Sequence, residues 1–383
     1  VRTDPWLSRP MRAALGLEAP ERRVGLSAHD FAQACGAPEL ILSRPQKLGG
    51  APTVPSRFMQ RLAAVSGDAR WKAAIMRGNR LLRLAALIDD EKPTARISRP
   101  EPAPPLALRP KKLSVTEIET WLRDPYSIYA RHVLGLRPLD ALDEAPGASE
   151  RGTAIHDALG KFAIAFPQGL PEDAHGALRA FGRDAFKPLE AFPAEYALWW
   201  ARFERLIGWY IAWERARRPG VQRVIAEVGG RMELLGGRFT LTGRADRIEQ
   251  LREGGLVVID FKTGAVPTAK QTAVHYSPQL PLEAAMAAAG AFRDLPAEHA
   301  AGLSYVKLGS TGLKETSAVD KDDTAAGIAV STLERLEELV RAFENPAQGY
   351  AALRRPMFRG RFGDYDHLAR VKEWSTGGTE GEE

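Results

Sequence analysis

Asp260, Phe261 and Lys262 close a short apolar run, Leu256-Val257-Val258-Ile259, and a second carboxylate, Asp246, lies upstream in Thr242-Gly243-Arg244-Ala245-Asp246. Two carboxylates and an amine can together grip a hard divalent cation and steady a phosphate beside it. The chemistry this suggests is metal-dependent cleavage of a phosphodiester. Asp246 and Asp260 would hold the ion with the backbone carbonyl of Phe261, and Lys262 would offset charge growing on phosphorus. An exposed ion pair at a strand end is the plainer alternative for Asp260 and Lys262.

That chemistry requires a hairpin. The run Leu256 to Ile259 is β-rich and too short for a helix, and Gly254-Gly255 before it supplies the left-handed backbone of a tight turn. The stretch from Arg238 to Leu251 should be its antiparallel partner. Folding about Glu253-Gly254 sets Asp246 roughly opposite Asp260, as cross-strand neighbours about 5 Å apart. Alternation puts Asp260 and Lys262 on one face and Ile259 and Phe261 on the other, toward the core. Asp90-Glu91-Lys92 has the same outline, but Pro93 follows it and no β-rich run leads into it, so it reads as a solvated loop.

A third element runs from Arg151 to Leu159 and reads as a helix with Ile155, Leu159 and Phe162 on one stripe. His156 lies beside the stripe, as a structural histidine or a ligand. Glu227, ending the strand Val224-Ile225-Ala226, is either a further site carboxylate or a surface glutamate.

Taken in order, Gly152 and His156, then Gly243, Asp246, Asp260, Lys262, Thr263 and Gly264, then Gln279 and Leu280, resemble the RecB-type branch of the PD-(D/E)XK nucleases. The flanking segments Leu113 to Glu119, Asp124-Pro125-Tyr126, Val133 to Leu136 and Gly363 to Leu368 resemble the AddB subunits of AddAB helicase-nucleases, over nearly the whole chain. The resemblance implies an α/β fold with a mixed central sheet flanked by helices. It also implies Mg²⁺, with His156 as an added ligand that would tolerate Mn²⁺, and Gln279 orienting the scissile phosphate. Implied partners are DNA ends, single-stranded DNA and an AddA-type helicase-nuclease subunit, in end resection for double-strand-break repair. A DNA- and partner-binding scaffold subunit that cuts nothing is the competing reading. A third, a free-standing exonuclease related to CRISPR-associated nucleases, fits residues 1–98 poorly. Many relatives hold an iron–sulfur cluster with a cysteine before the Pro-Tyr pair and three near the C-terminus. Here Asp124 takes the first place and Cys35 is the only cysteine, which excludes a four-thiolate cluster and any intrachain disulfide. Packing must close the domain instead. Relatives often carry a tyrosine four residues after the glutamine, where this chain has Glu283.

The 383 residues, 44% of them hydrophobic, suffice for one large core or two modest ones. Three parts are expected: the end of a helicase-like domain at 1–98, a proline-rich linker at 99–112 and the nuclease domain at 113–383. The linker is either a semi-rigid spacer or a connector hugging the surface. Residues 1–98 contain Glu21 to Ser27 and Leu42 to Lys47, which resemble the end of the helicase-like portion of AddB. Ser56 to Ala73 reads as a helix burying Phe58, Leu62, Val65 and Ala69. No phosphate-binding Gly-x-x-x-x-Gly-Lys-Ser/Thr loop is present, so any ATP-driven motor resides elsewhere. No apolar run is long enough to cross a membrane, and the expected setting is cytoplasmic. The opening Val1 to Trp6 lacks both a starting methionine and a signal-like core, so the chain reads as the C-terminal part of something longer.

Ser114 and Glu117 form a capping-box pattern ahead of Ile118, Trp121 and Leu122. From Pro171 to Arg218 aromatics recur at helical spacing, as a buried face or a stacking platform for bases. A strand over Val221 to Glu227 precedes the hairpin. Gln279 opens an alanine-rich helix, Leu303 to Leu308 is a strand, and Ile328 to Phe343 is an amphipathic helix. Fifty-three Lys and Arg against 48 Asp and Glu give a formal charge of +5. Arginines cluster at Arg215-Ala216-Arg217-Arg218 and from Arg354 to Arg361, either as guanidiniums for phosphate contact or as a solvated helix end or subunit interface. DNA binding should therefore weaken steeply as salt rises; affinity unchanged between low and high salt would contradict phosphate tracking.

Overall fold

The computed structural model describes residues 6–19, 21–90, 97–139, 145–355 and 363–375. The chain divides into two compact units, Val1–Ala95 and Arg96–Glu383.

The first unit holds helices α1 (Arg9–Ala14) and α2 (Glu21–Ala34), a small hairpin of β1 (Lys47–Leu48) and β2 (Ala51–Pro52), and helices α3 (Arg57–Ser66) and α4 (Asp68–Asp89). The helix expected from Ser56 to Ala73 is broken at Gly67, whose φ of 74° departs from helical backbone. Phe58 stacks on Phe31 with ring centroids 5.6 Å apart, but Val65 is exposed rather than packed. None of these helices fully buries a residue. Of the loop copy Asp90-Glu91-Lys92, Asp90 is exposed and the other two lie outside the described residues.

The second unit is a mixed α/β domain. Its elements are β3 (Lys112–Ser114), α5 (Val115–Arg123), α6 (Pro125–Ile128), α7 (Ala148–Ala165), α8 (Ala174–Phe186), α9 (Pro193–Arg217), β4 (Val221–Leu234), β5 (Phe239–Leu251), β6 (Leu256–Lys262), α10 (Ala269–Ala273), α11 (Gln279–Ala288), β7 (Ala300–Gly309), β8 (Gly312–Ser317), α12 (Ala325–Phe343) and α13 (Val371–Trp374). β5 pairs antiparallel with β4 along one side, and on the other with β3 in parallel and then β6 antiparallel. β6 continues into parallel β7 and antiparallel β8. Against one face Leu241, Ala245, Ile248 and Val258 pack with Ile118, Trp121, Leu280, Met286 and Ile328 of α5, α11 and α12. Against the other, Ile259, Phe261 and Val306 pack with Phe162, Leu178, Phe203, Leu206 and Tyr210 of α7, α8 and α9. Each such side chain contributes about 1.5–3 kcal/mol by leaving water. The aromatics between Pro171 and Arg218 thus form mainly a buried face, with Phe186, Phe203 and Tyr210 fully enclosed.

The capping box forms, with Ser114 Oγ accepting from Glu117 N–H and Glu117 Oε2 accepting from Ser114 N–H. The proline-rich stretch lies along the second unit as a connector. Pro100 and Pro102 carbonyls accept from Ala352 and Tyr350 N–H, and the buried guanidinium of Arg109 donates to the carbonyls of Phe343, Asn345 and Pro346. Asp124, whose side chain stands before the Pro125-Tyr126 pair, accepts from Leu353 N–H at 2.9 Å and from Ser127 Oγ. Tyr126, Ala352, Ala369 and Val371 pack beside it. This is closure by packing and hydrogen bonds, as the cysteine count requires.

The arginines at 215–218 are mostly committed to the fold rather than open to phosphate. Arg217 bonds Glu249 and Glu315, and Arg218 bonds Glu214 and the Phe166 carbonyl, while Arg215 is exposed. At their centre Arg247, fully buried, donates to Glu214 at 2.6 and 3.1 Å and to Glu249 at 2.8 Å. Of the second cluster, Arg354 and Arg355 are exposed and 356–361 fall outside the described residues. Burial alone would raise the Glu214 pKa, but Arg247 and Arg218 outweigh it and hold the carboxyl down at about 2. A carboxylate depressed from its usual 4.5 adds stability that is complete above that pH and is lost as pH falls toward 2. Glu214→Gln should cost on the order of 3 kcal/mol at neutral pH by stranding buried guanidinium charge. Urea unfolding from pH 7 to pH 2 should show wild type losing this margin below about pH 4.5 and the variant lacking it.

Candidate active site

The β5–β6 ladder runs from Gln250↔Leu256 to Arg247↔Ile259, joined by Gly254 and Gly255 at φ 89° and 86°. Extended one step, that register sets Asp246 against Asp260, as the sequence requires. At that step, however, the strands part. Asp246 Oδ2 accepts from the N–H of Phe261 at 3.0 Å, so a side chain fills the place of a strand carbonyl. The Phe261 carbonyl projects to the same side of the strand as its N–H, toward the gap that Asp246 occupies.

A neighbouring irregularity aims these groups. In β5, Leu241 and Ala245 face the α11 side of the sheet, and so does Ile248, which ordinary alternation would put on the other. The same change of parity occurs in β4 between Ile225 and Met232. Between them the β4–β5 ladder skips the step that would join Glu227 to Asp246, and Glu227 has a φ of 52°. A left-handed residue in a strand bends it and re-aims the side chains around it. Glu227 and Asp246 turn toward α7.

His156 of α7 meets Asp246 there, Nδ1 lying 3.3 Å from Oδ2, and its ring stands edge-on to Phe261. Burial works against a charged imidazole, but the Asp246 hydrogen bond and the charges of Asp246, Asp260 and Glu227 raise its pKa above the usual value. Glu227 reaches Arg244 at 2.7 Å and lies against Gly160 of α7, where an added Cβ would fall 2.6 Å from Glu227 Cγ. Its pKa is raised by burial and by Asp246. Gly152 brings α7 close to β6, since a Cβ there would sit 3.1 Å from Thr263 Oγ1. Gly152, Thr153, His156, Asp157, Glu227, Arg244, Asp246 and Thr263 border a cleft of about 430 Å³.

Asp260 turns the other way, toward α11. Its Oδ1 accepts from Gln279 Nε2 at 2.7 Å, and Lys262 Nζ lies 2.8 Å from Oδ2. That contact is an ion pair off the line of a hydrogen bond, and Oδ2 is buried with no hydrogen-bond partner. Lys262 Nζ instead donates to Gln279 Oε1 at 3.2 Å. Burial raises the Asp260 carboxyl to about 6; Lys262 pulls it down and Asp246 pushes it up. For Lys262, burial opposes the charge, yet Asp260 and Asp246 raise its pKa, so it is an ammonium. Glu283, one turn along α11 and fully buried, accepts from Gln279 at 3.2 Å, and burial holds its carboxyl well above the usual range.

The sequence-derived residues thus lie along one hairpin step but divide between its faces: Asp246 meets His156 on the α7 side, while Asp260 and Lys262 meet Gln279 on the α11 side. Glu227, left open in the sequence, belongs beside Asp246, and Glu283 lies behind Gln279. Gln279 is already engaged by Asp260, Lys262 and Glu283, so it orients those side chains rather than offering a free amide. Among the described residues, no three His, Cys, Asp or Glu side chains converge on one point. The donor types nonetheless suit a hard cation: two carboxylates and a backbone carbonyl in the gap, with Asp260 Oδ2 buried and answered by the Lys262 ammonium.

Residues 112–363 match the PD-(D/E)XK nuclease superfamily. The chain belongs to this superfamily. PD-(D/E)XK proteins are typically metal-dependent nucleases and generally use divalent ions such as Mg²⁺. An uncharacterized protein of Rickettsia bellii is 27% identical over 286 residues, which is 74% of this chain and 34% of that protein. One from Rickettsia conorii is 26% identical over 300 residues, 75% of this chain and 34% of its own. The chain thus spans about a third of the length of these relatives. The crystal structure of SSO0001 shares 14% identity over 60% of this chain and 76% of its own, with a TM-score of 0.26, a likeness too slight to bear on the site. No described helix is long and apolar enough to cross a membrane.

Asp246→Asn should lower the His156 pKa in the metal-free protein, because burial is then opposed by less negative charge. An NMR titration of the imidazole reads this directly, and an unchanged midpoint would contradict the pairing.

Proposed function

We propose that this PD-(D/E)XK domain hydrolyses DNA phosphodiesters with Mg²⁺, as the nuclease portion of a RecB-type, AddB-like subunit that works with an AddA-type helicase partner in end resection. The observation that carries the reading is the arrangement at one hairpin step: Asp260 ion-paired to Lys262, and Asp246 bonded to the backbone of Phe261. Asp246, Asp260 and the Phe261 carbonyl would hold the ion, with His156 as a further ligand suited to Mn²⁺. Bound there, the ion would polarise a phosphate oxygen and lower the pKa of a water.

The chain's own groups account for the rest. Lys262, held as an ammonium and oriented by Gln279, would stabilise negative charge as water oxygen bonds to phosphorus and the bridging P–O bond breaks. Its raised pKa suits that electrostatic role and not proton abstraction. The attacking water gives up its proton to solvent, and the departing oxygen takes one from it. Glu283, whose carboxyl burial pushes well above its usual range, accepts from Gln279 behind Asp260. Arg244, paired to Glu227 at the rim of the cleft, presents a guanidinium to an arriving phosphate. The helicase-like reading of residues 1–98 belongs to the same proposal, and a motor that separates strands would have to come from elsewhere.

Asp246→Ala, Asp260→Ala and Lys262→Ala should each slow cleavage of end-labelled DNA at least about 100-fold with the fold retained. EDTA should abolish the wild-type activity and Mg²⁺ restore it. Cleavage by all three variants at the wild-type rate would refute the assignment.

A further inference from the structure

A groove of about 1160 Å³ follows the outer edge of β4 and meets the cleft at Glu227 and Arg244. Four arginines line it: Arg223 toward one end, Arg231 and Arg293 toward the other, and Arg244 at the junction. All four are exposed. Arg244 pairs with Glu227, and Arg231 makes only an exposed contact with Glu233 at 3.3 Å. Arg223 and Arg293 have no ion-pair partner among the described residues. Against these, the lining carries only Glu227 and Asp294 as acids.

The edge itself is closed at two points. Val224 N–H donates to the Pro167 carbonyl near one end, and near the other Arg231 N–H donates to Ala291 and Arg293 N–H to Gly229. Between these clasps, Ile225 to Val228 pair outward with no strand among the described residues. From Arg223 to Arg231 the edge spans about 26 Å at the usual rise. That is of the order needed by the shorter single-strand binding sites, about four nucleotides. A single row of guanidiniums along one strand edge matches one phosphodiester backbone. The groove's aromatic, Phe292, is buried, so bases find no stacking platform and contact falls on phosphate.

We propose that this groove is a sequence-independent track for one nucleic-acid strand, passing the cleft mouth and held by phosphate contacts from Arg223, Arg231 and Arg293. This deepens the nuclease reading and rests on it. The arginines lie to both sides of Glu227, so a seated strand is held on either side of the cleft mouth. Arg244 exchanges Glu227 for a phosphate as the strand passes. A polypeptide strand adding to the open edge would make no use of the guanidiniums.

The test uses the full chain in EDTA, with fluorescein-labelled single-stranded oligo(dT) and a blunt duplex of equal length, read by anisotropy over a salt series. Arg223→Glu with Arg293→Glu should weaken single-strand binding at least about tenfold and flatten the salt slope by about 1.4, for two lost phosphate contacts. Arg335→Glu, a surface charge change on α12, should leave binding nearly unchanged. Thermal unfolding of each variant confirms that the fold is retained. Wild-type affinity in the double variant would overturn the track and leave the edge to a polypeptide. Equal loss in Arg335→Glu would also overturn it, by showing only bulk charge, as would a blunt duplex bound as tightly as the single strand. Hydrolysis of bis-p-nitrophenyl phosphate with Mn²⁺ separates the two proposals: the groove variant should keep the wild-type rate, and no hydrolysis by wild type would count against the nuclease reading alone.

Discussion

Negative charge crowded at the step where β5 and β6 part is the constraint on which this domain depends. Asp246, Asp260 and Glu227 act on one another there, and Asp260 is almost wholly withdrawn from water. Such a concentration persists only if something positive answers it. The protein supplies the ammonium of Lys262, the imidazole of His156 and the guanidinium of Arg244, each from a different element. A divalent ion would answer the same field with more charge in less space.

The scaffold explains how the field is held. The sheet is packed on both faces, so α7 and α11 each deliver one polar side chain to the gap from opposite directions. The parity change in β4 and β5 lets neighbouring strands keep their ladder while turning Glu227 and Asp246 toward α7. Behind α9, the buried cluster of Arg247, Glu214 and Glu249 pins β5 to the helical layer immediately after Asp246. The strand therefore has little freedom to let the carboxylates drift apart.

Much of this was legible in residue order because hairpin pairing is arithmetic: a two-glycine turn and a register decide that Asp246 meets Asp260, and alternation decides that Phe261 points inward. The helices were legible by their stripes and caps, Ser114 and Glu117 most plainly. Glu227 was not, because its place depends on a left-handed backbone at a non-glycine residue, which no local pattern announces. Arg217 and Arg218 misled for a related reason: an arginine that answers buried glutamates reads the same in sequence as one that waits for phosphate. The break at Gly67 could have been read only from the glycine itself, since the apolar spacing of Phe58, Leu62, Val65 and Ala69 runs on through it. The length of β4 was hidden by Gly229 and Gly230, which weaken a strand pattern, although Gly230 gives room to Phe292.

The closure around Asp124 carries a consequence of its own. A carboxylate, a serine hydroxyl and a few packed aromatics join the start of the domain to its end with atoms the chain carries from synthesis. No inorganic centre has to be built elsewhere and delivered, and none is there for peroxide or superoxide to dismantle. That seam is set by folding alone, and iron starvation or a burst of respiration would leave it untouched.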